Sequence, residues 1–320
     1  MGKKRVALII GYNGIGYRGS QINKDENTVE KTVCDRIAEL RYISERNAED
    51  YSKVGLQRSS RTDKGVHAAM LVLSLKIEVD KERNSRDLEM KLREALAPHG
   101  IHLHRVVETT KGFDPKARCE SRVYEYFVPE EAYSLPEDTA EKVSERRAVL
   151  VKALKSLEGT HNFHNFTAQN QEKGPNRYIK EISVEAISYG NSRWERVTLH
   201  GQSFMIHQIR KMIGFSVLCA RKAASESDVG RFLSLVFCPE KRNIPKTPGE
   251  FLLLSHSYFT NYNERFGGER GGAIDSAGCE EYKRAELYPI VCTRENADKF
   301  RQWLEVLDKH PEEFAYMELP

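Results

Sequence analysis

The chain has no apolar run long enough to cross a bilayer. Its longest stretches, such as residues 6–10, fall far short of the roughly 20 residues a membrane helix needs, so no membrane partner is expected. No apolar segment of the signal-peptide kind lies near the N-terminus, which points to a protein that is not secreted. Cysteine is sparse and unpatterned. Cys34, Cys119, Cys219, Cys238, Cys279 and Cys292 form no C-x-x-C pair and no zinc-like spacing with histidine, so they read as reduced thiols. His161 and His164 could be half of a metal site, but no cysteine or acidic cluster completes it. Net charge has no strong sign either: 50 Lys and Arg against 47 Asp and Glu give +3. That balance neither demands nor excludes nucleic acid, which answers to local patches rather than to the total.

Local patches are present. Residues 3–5, 58–64, 111–122 and 210–222 are basic stretches interleaved with aromatic or small residues. The 320 residues, 39% of them hydrophobic, suffice for one large or two smaller domains. Strands are expected at residues 5–12, 54–59, 69–77, 101–107 and 123–128. A helix carries Val29, Val33, Ile37 and Leu40 with Asn27 as its cap, and another carries Leu88, Leu92 and Leu96 with Ser85 as its cap. A second half repeats the rhythm. It has a helix over 136–157, strands over 178–187 and 194–200, helices over 205–221 and 225–236, and a strand over 251–258. The fold class expected is α+β: two ferredoxin-like (RRM-like) halves sharing a continuous, mainly antiparallel sheet flanked by helices. The halves are placed at residues 1–130 and 131–262. Residues 263–320 follow as a C-terminal extension, a Gly-rich loop over 263–278 leading to a last helix over 295–307 anchored by Trp303.

Four segments carry candidate chemistry. Gly14-x-Gly16-x-x-Gly19 follows a strand and imitates a dinucleotide fingerprint. The next helix begins too late to hold a pyrophosphate, and the acidic residue of that site is missing, so a flexible turn is the preferred reading. Arg61-Thr62-Asp63-Lys64-Gly65-Val66-His67 concentrates an acid, two cations and a histidine in one loop between apolar strands. Asp-Lys-Gly alone is ordinary turn chemistry, but a rigidly held loop is also where catalytic groups gather. Arg118-x-x-x-Arg122-x-Tyr124-x-Tyr126 puts tyrosines on one face of a strand beside basic residues. They suit either a core edge or stacking on a base. In residues 201–214, Arg210 shares a helix side with Ile206, Ile209 and Ile213. A cation facing apolar surroundings needs an anionic partner, which is either a structural carboxylate or a catalytic one.

Together these segments resemble the TruA family of tRNA pseudouridine synthases over residues 4–259. The carriers are Gly11-Tyr12-x-Gly14-x-Gly16-Tyr17-x-Gly19, the Arg61–His67 loop, Phe113 with Arg122-x-Tyr124-x-Tyr126, the run from Gly159 to Thr167, and the run from Gly201 to Gly214. The last two, with Tyr262-Asn263-x-Arg265-Phe266-Gly267 and Tyr288-Pro289, resemble the eukaryotic pseudouridine synthase 1-like branch. The resemblance implies an isomerase that needs no cofactor or metal and acts on tRNA, with other structured RNA as a further substrate class. It implies a nuclear location, or failing that a cytoplasmic one. Residues 281–307 look like an addition that covers the pairing surface of bacterial relatives, so a monomer is expected.

The same resemblance assigns roles. Asp63 is the essential carboxylate, attacking sugar or base or removing a ribose proton. Tyr124 stacks on the uracil and offers its hydroxyl for proton removal from C5. Arg210 supplies the counter-charge that keeps the acid ionised in a partly dry pocket. Arg61 fills the gap left by the extruded nucleotide. Leu252 is the apolar pocket residue, and Lys64, His67, Arg122 and His207 are further RNA contacts. Two rivals differ in class: a non-catalytic RNA binder on the same scaffold, which has no use for an acid at position 63, and an oxidoreductase using the early glycines.

Overall fold

The computed structural model describes residues 2–317 except 25, 82, 169–173, 224, 269–271 and 310. In chain order its strands are β1 (Gly2–Tyr12), β2 (Gln57–Arg58), β3 (His67–Val79), β4 (Ile101–Glu108), β5 (Ser121–Pro129), β6 (Gly159–Asn162), β7 (Asn176–Tyr189), β8 (Ser192–Gly201) and β9 (Leu252–Tyr258). Contacts divide the chain into two units that are discontinuous in sequence: Met1–Val123 with Leu253–Tyr288, and Tyr124–Leu252 with Pro289–Pro320. The strands are mainly antiparallel and helices flank them, the α+β class expected.

In the first unit β1 pairs antiparallel with both β3 and β4, and β2 pairs with β3. That is the strand order of a split β-α-β unit. The 13-residue β3 is longer than its partner needs. β2 meets it only at Ser74 and Leu73, while β9 runs parallel to it at His67 and Ala68. The strand expected over 54–59 shrinks to β2 because Gly55, at φ +65, closes a 3-10 turn over Tyr51–Val54. Val6 to Tyr12 are buried on both faces of the sheet, as in a strand covered on each side. Helix Val29–Glu39 turns Val29, Val33 and Ile37 inward, and helix Ser85–Leu96 does the same with Leu88, Leu92 and Leu96.

Both helices start one residue away from the expected cap, for a readable reason. Asn27 spends its side-chain amide on Gly16 O at 3.2 Å, so Thr28 caps the first helix and accepts from Lys31 N. Ser85 gives its hydroxyl to Glu108 at 2.7 Å, so Asn84 caps the second and accepts from Arg86 N and Asp87 N, each at 3.0 Å.

The Gly-rich loop expected over 263–278 is mostly packed structure. Helix Thr260–Phe266 occupies its start. Asn263 exchanges hydrogen bonds with the Ile274 backbone, Nδ2 to O and N to Oδ1, both at 2.9 Å. Phe259, Tyr262, Ile274 and Cys279 join Ala7, Ile9, Met70 and Val72 in one buried cluster. Residues 269–271 of that loop lie outside the described ones.

In the second unit the strand order is β5-β8-β7-β6, with β7 and β8 joined as a hairpin. The four residues of β6 alternate exposure without an aliphatic side chain, which is why periodicity does not show them. Helix Ala140–Lys155 is capped by Thr139 rather than beginning near 136. Its Arg146 pairs with Asp138 at 2.7 Å and donates to Ala220 O and Arg221 O, each at 3.0 Å. One guanidinium thus satisfies the last carbonyls of helix Gln208–Lys222. Helix Arg294–Asp308 buries Phe300, and Trp303 anchors it by donating to Lys246 O at 3.0 Å.

Asn84→Ala removes an acceptor for two amide protons at an exposed helix start. We expect it to cost about 1 kcal/mol, read as a shift in the urea midpoint at constant slope. Ser85→Ala, which leaves the cap in place, should cost less, and the reverse order would show the cap to be misassigned.

Candidate active site

In the first unit the sequence between β2 and β3 forms a tight turn. Val66 N donates to Asp63 O at 3.2 Å, and Gly65 takes φ +78. A turn with positive φ at its third residue selects glycine, so Lys64 and Gly65 form the tip and Asp63 stands at the base. Asp63 is half-buried, whereas Arg61 and Lys64 are exposed on either side of it.

The loop after β1 brackets this turn from beside it. Tyr12 OH meets Thr62 Oγ1 at 2.8 Å. Ser20 N donates to Thr62 O at 3.1 Å, and Thr62 N donates to Ser20 Oγ at 2.9 Å. Gly65 N reaches Tyr17 O at 3.4 Å. At Gly14 the fit is steric: a Cβ there would stand 2.2 Å from Val66 O. The glycine motif is therefore neither a nucleotide cradle nor the flexible turn that sequence reasoning preferred. It lets one loop lie backbone to backbone against the other.

His67 belongs to this bracket. It is fully buried, and its Nδ1 accepts from Gly14 N at 3.2 Å. Acceptance there requires a neutral ring with its proton on Nε2. The expectation that His67 contacts RNA is corrected on this point: with no exposed surface, the ring positions the turn instead. Arg122 is also engaged from below. Its Nε and Nη2 donate to Ser59 O at 3.1 and 2.7 Å, and Nε also reaches Ser60 Oγ at 3.0 Å. It holds the residues just before Arg61. Deeper still, Glu30 pairs with Arg58. Burial pushes the Glu30 carboxyl up, against the opposing pull of Arg58 and, more weakly, Arg61.

The second unit carries the other candidates. Tyr124, 7% exposed, sets its ring edge-on to Phe204, centroids 5.3 Å apart at 83°. Arg210 and Thr247 clasp each other: Arg210 Nε donates to Thr247 O at 2.6 Å, and Thr247 Oγ1 donates to Arg210 O at 3.0 Å. Tyr126 is fully buried and donates to Pro248 O at 3.0 Å; burial raises its hydroxyl pKa, opposed by Thr247 and by the Arg210 charge. Leu252 is buried at the first position of β9.

The helix expected from 205 begins at Gln208 because His207 sits at φ +64. A side chain in that left-handed region is strained, and such strain is concentrated at functional sites. Phe204, Met205 and Ile206 consequently lie before the helix, and Ile206 is 39% exposed rather than part of its stripe. Sequence reasoning missed Tyr12, Ser20, Thr62 and Thr247 as positioning residues. Tyr12 lies inside the glycine motif, Ser20 directly follows it and Thr62 lies in the Arg61–His67 loop, so these were open to notice; Thr247 has no local signal. Among the described residues no group of His, Cys, Asp and Glu is placed to hold a metal ion, and no helix is long and apolar enough to cross a membrane.

Comparison with known proteins identifies the family. A family model described as tRNA pseudouridine synthase matches residues 153–260. The chain is 33% identical over 95% of its length to the human protein called Pseudouridylate synthase 1 homolog, covering 73% of it. The mouse protein of the same name is 32% identical over 96% of the chain and 74% of its own length. The Saccharomyces cerevisiae tRNA pseudouridine synthase 1 is 31% identical over 82% of the chain and 62% of its own length. The chain belongs to the tRNA pseudouridine synthase family.

Gly14→Ala forces a methyl group into the Val66 carbonyl and should cost about 1–3 kcal/mol, the usual range for overpacking. Urea unfolding measures it. A midpoint equal to that of the parent protein would show that the two loops are not in tight register.

Proposed function

We propose that this protein isomerises uridine to pseudouridine in tRNA, with Asp63 as the reacting carboxylate. The observation that carries this is the placement of Asp63: an acid at the base of a turn, flanked by exposed Arg61 and Lys64, in a loop whose Thr62 and Gly65 are hydrogen-bonded to Tyr12, Ser20 and Tyr17. A pure RNA binder gains nothing from building a rigid mount for a carboxylate, which repels phosphate. The reaction balances without an external oxidant or reductant. The bond from ribose C1′ to uracil N1 breaks, the base turns, and C1′ joins C5. C5 then loses its proton while N1 carries one.

Asp63 attacks or abstracts, Tyr124 faces the uracil and relays the C5 proton through its hydroxyl to solvent, and Arg210 serves the acid as counter-charge. Arg61, exposed beside the acid, occupies the space an extruded nucleotide leaves. Leu252 is the apolar wall. Lys64 and His207 contact the RNA, and Arg122 supports the strand that leads to Arg61. The Thr247 clasp matters here because a guanidinium held at Nε presents its remaining donors in a fixed plane. The protein acts as a monomer on this reading, a point for analytical ultracentrifugation.

Asp63→Ala should abolish tritium release from C5-labelled uridine in tRNA. Its tRNA affinity should stay within about tenfold, or ~1.4 kcal/mol, because phosphate contacts dominate binding. Parent-level turnover in this variant would sink the assignment. Tyr124→Phe should bind normally and lose turnover, whereas Tyr124→Ala should also lose about 1–3 kcal/mol of binding from lost stacking. Equal turnover by Phe and Tyr would reduce the residue to a stacking platform.

Arg210→Met should keep tRNA affinity and lose turnover, with Arg210→Lys recovering only part of it, since an ammonium lacks the guanidinium fork. The comparison is made under single-turnover conditions. If Arg210→Met instead weakens binding and flattens its salt dependence, Arg210 is a phosphate contact and not a helper of the acid.

A further inference from the structure

One cluster of cations in the second unit is not used by the reaction above. Lys211 follows Arg210 on helix Gln208–Lys222 and is 8% exposed. A lysine this deeply buried normally faces a carboxylate. Among the described residues its ammonium has one hydrogen bond, to the neutral Asn165 O at 3.3 Å. The charges that reach it are of its own sign. Burial first, then Lys241 and Lys246, bring its pKa down to about 8. Lys241 likewise reaches only carbonyl oxygens, His164 O at 2.7 Å and Thr167 O at 3.5 Å. Lys241 is exposed and bonded to the 164–167 turn beside Asn165, so the buried Lys211 forms a floor and Lys241 its rim.

The frame around these lysines is built rather than loose. Asn165, fully buried, donates to Val236 O and Glu240 O, each at 3.0 Å, and accepts from Arg242 N at 2.9 Å. Those bonds fix the segment that carries Lys241. Trp303 holds the Lys246 carbonyl, and Thr247 is clasped by Arg210. The acid next to Lys241 in sequence, Glu240, is drawn to the Cys238 thiol and to Arg242. In the same turn, the buried His164 ring uses Nδ1 on Asn162 Oδ1 at 3.1 Å, while its Nε2 has no hydrogen-bond partner among the described residues. Neutral carbonyls orient the ammonium groups of Lys211 and Lys241 but leave their mutual repulsion uncancelled. What cancels it is an anion with several oxygens, shared among them.

We propose that Lys211 and Lys241 form a phosphate site that grips a phosphodiester of the RNA substrate. The proposal rests on the reading of this protein as an RNA-modifying enzyme. It adds a defined backbone contact whose floor lies on the same helix turn as Arg210. A phosphate held there would fix the register of the RNA without reading its bases.

The test measures tRNA affinity of the full chain against salt concentration, for the parent protein, Lys211→Met, Lys211→Arg and Lys241→Gln. Loss of a phosphate contact should lower the slope of log affinity on log salt by about 1. We expect that drop in Lys211→Met and Lys241→Gln, and not in Lys211→Arg. Thermal melts run beside it, because Lys211→Met also loses the Asn165 contact; Lys241→Gln alters an exposed residue and keeps the test alive if the first variant unfolds. An unchanged slope with a lowered melting temperature would overturn the proposal, leaving the lysines as clamps on the 164–167 turn. Inorganic phosphate that raises the melting temperature of the parent but not of Lys211→Met, with tRNA slopes unchanged, would also overturn it in favour of a free-phosphate site. A parent protein that releases no tritium, with the slope drop still seen in its lysine variants, would defeat the synthase reading and leave the phosphate site standing. Tritium release with unchanged slopes would do the opposite.

Discussion

Two backbone segments, the Gly14 peptide and the Val66 carbonyl, lie so close that no side-chain carbon fits between them. The first unit's candidate chemistry depends on that approach. It brings the loop after β1 within reach of the turn before β3, and hydrogen bonds with Tyr12, Tyr17 and Ser20 then fix Thr62 and Gly65 on either side of Asp63. A carboxylate on an unsupported turn would sample many positions, and the entropy of holding it would fall on the substrate. Here folding meets that cost in advance, which is the physical meaning of a preorganised site. His67 closes the bracket from beneath because a neutral imidazole can accept from Gly14 and still be buried.

The second unit applies the same logic to a cation. Arg210 has one nitrogen committed to Thr247 O, and Thr247 answers through its hydroxyl to the Arg210 carbonyl. Such reciprocal bonding fixes the base of a long side chain that would otherwise have several rotamers to choose from. The abrupt helix start at Gln208 follows from the left-handed His207, and it frees Phe204 to stand edge-on to Tyr124. Lys211, one residue on, shares the rigidity of that helix. Its ammonium is held by Asn165 O, as that of Lys241 is by His164 O.

Much of this was legible in the chain. Continuous apolar runs located β1 and β3, which are buried on both faces, and periodicity located the inward faces of the helices, where burial on one face leaves a repeat. The crowding of an acid, two cations and a histidine into residues 61–67 marked the candidate site, and Arg-x-Tyr marked β5. The four residues of β6 escaped because an edge strand with alternating exposure and no aliphatics has no repeat to read. Helix caps missed by one residue because Asn27 and Ser85 had better partners elsewhere, Gly16 O and Glu108.

The sequence by itself determined the class of fold, the family and the residue types at the candidate site, since each of these is written in local pattern or in motifs that recur in order. Tertiary structure alone decided what the early glycines are for, that His67 is buried, that Ile274 belongs to a core instead of a linker, and that Lys241, 30 residues on, comes near Lys211. The physical reason is common to all four. Each is a close approach between segments distant in the chain, and neither propensity nor periodicity carries information about a neighbour that only folding supplies.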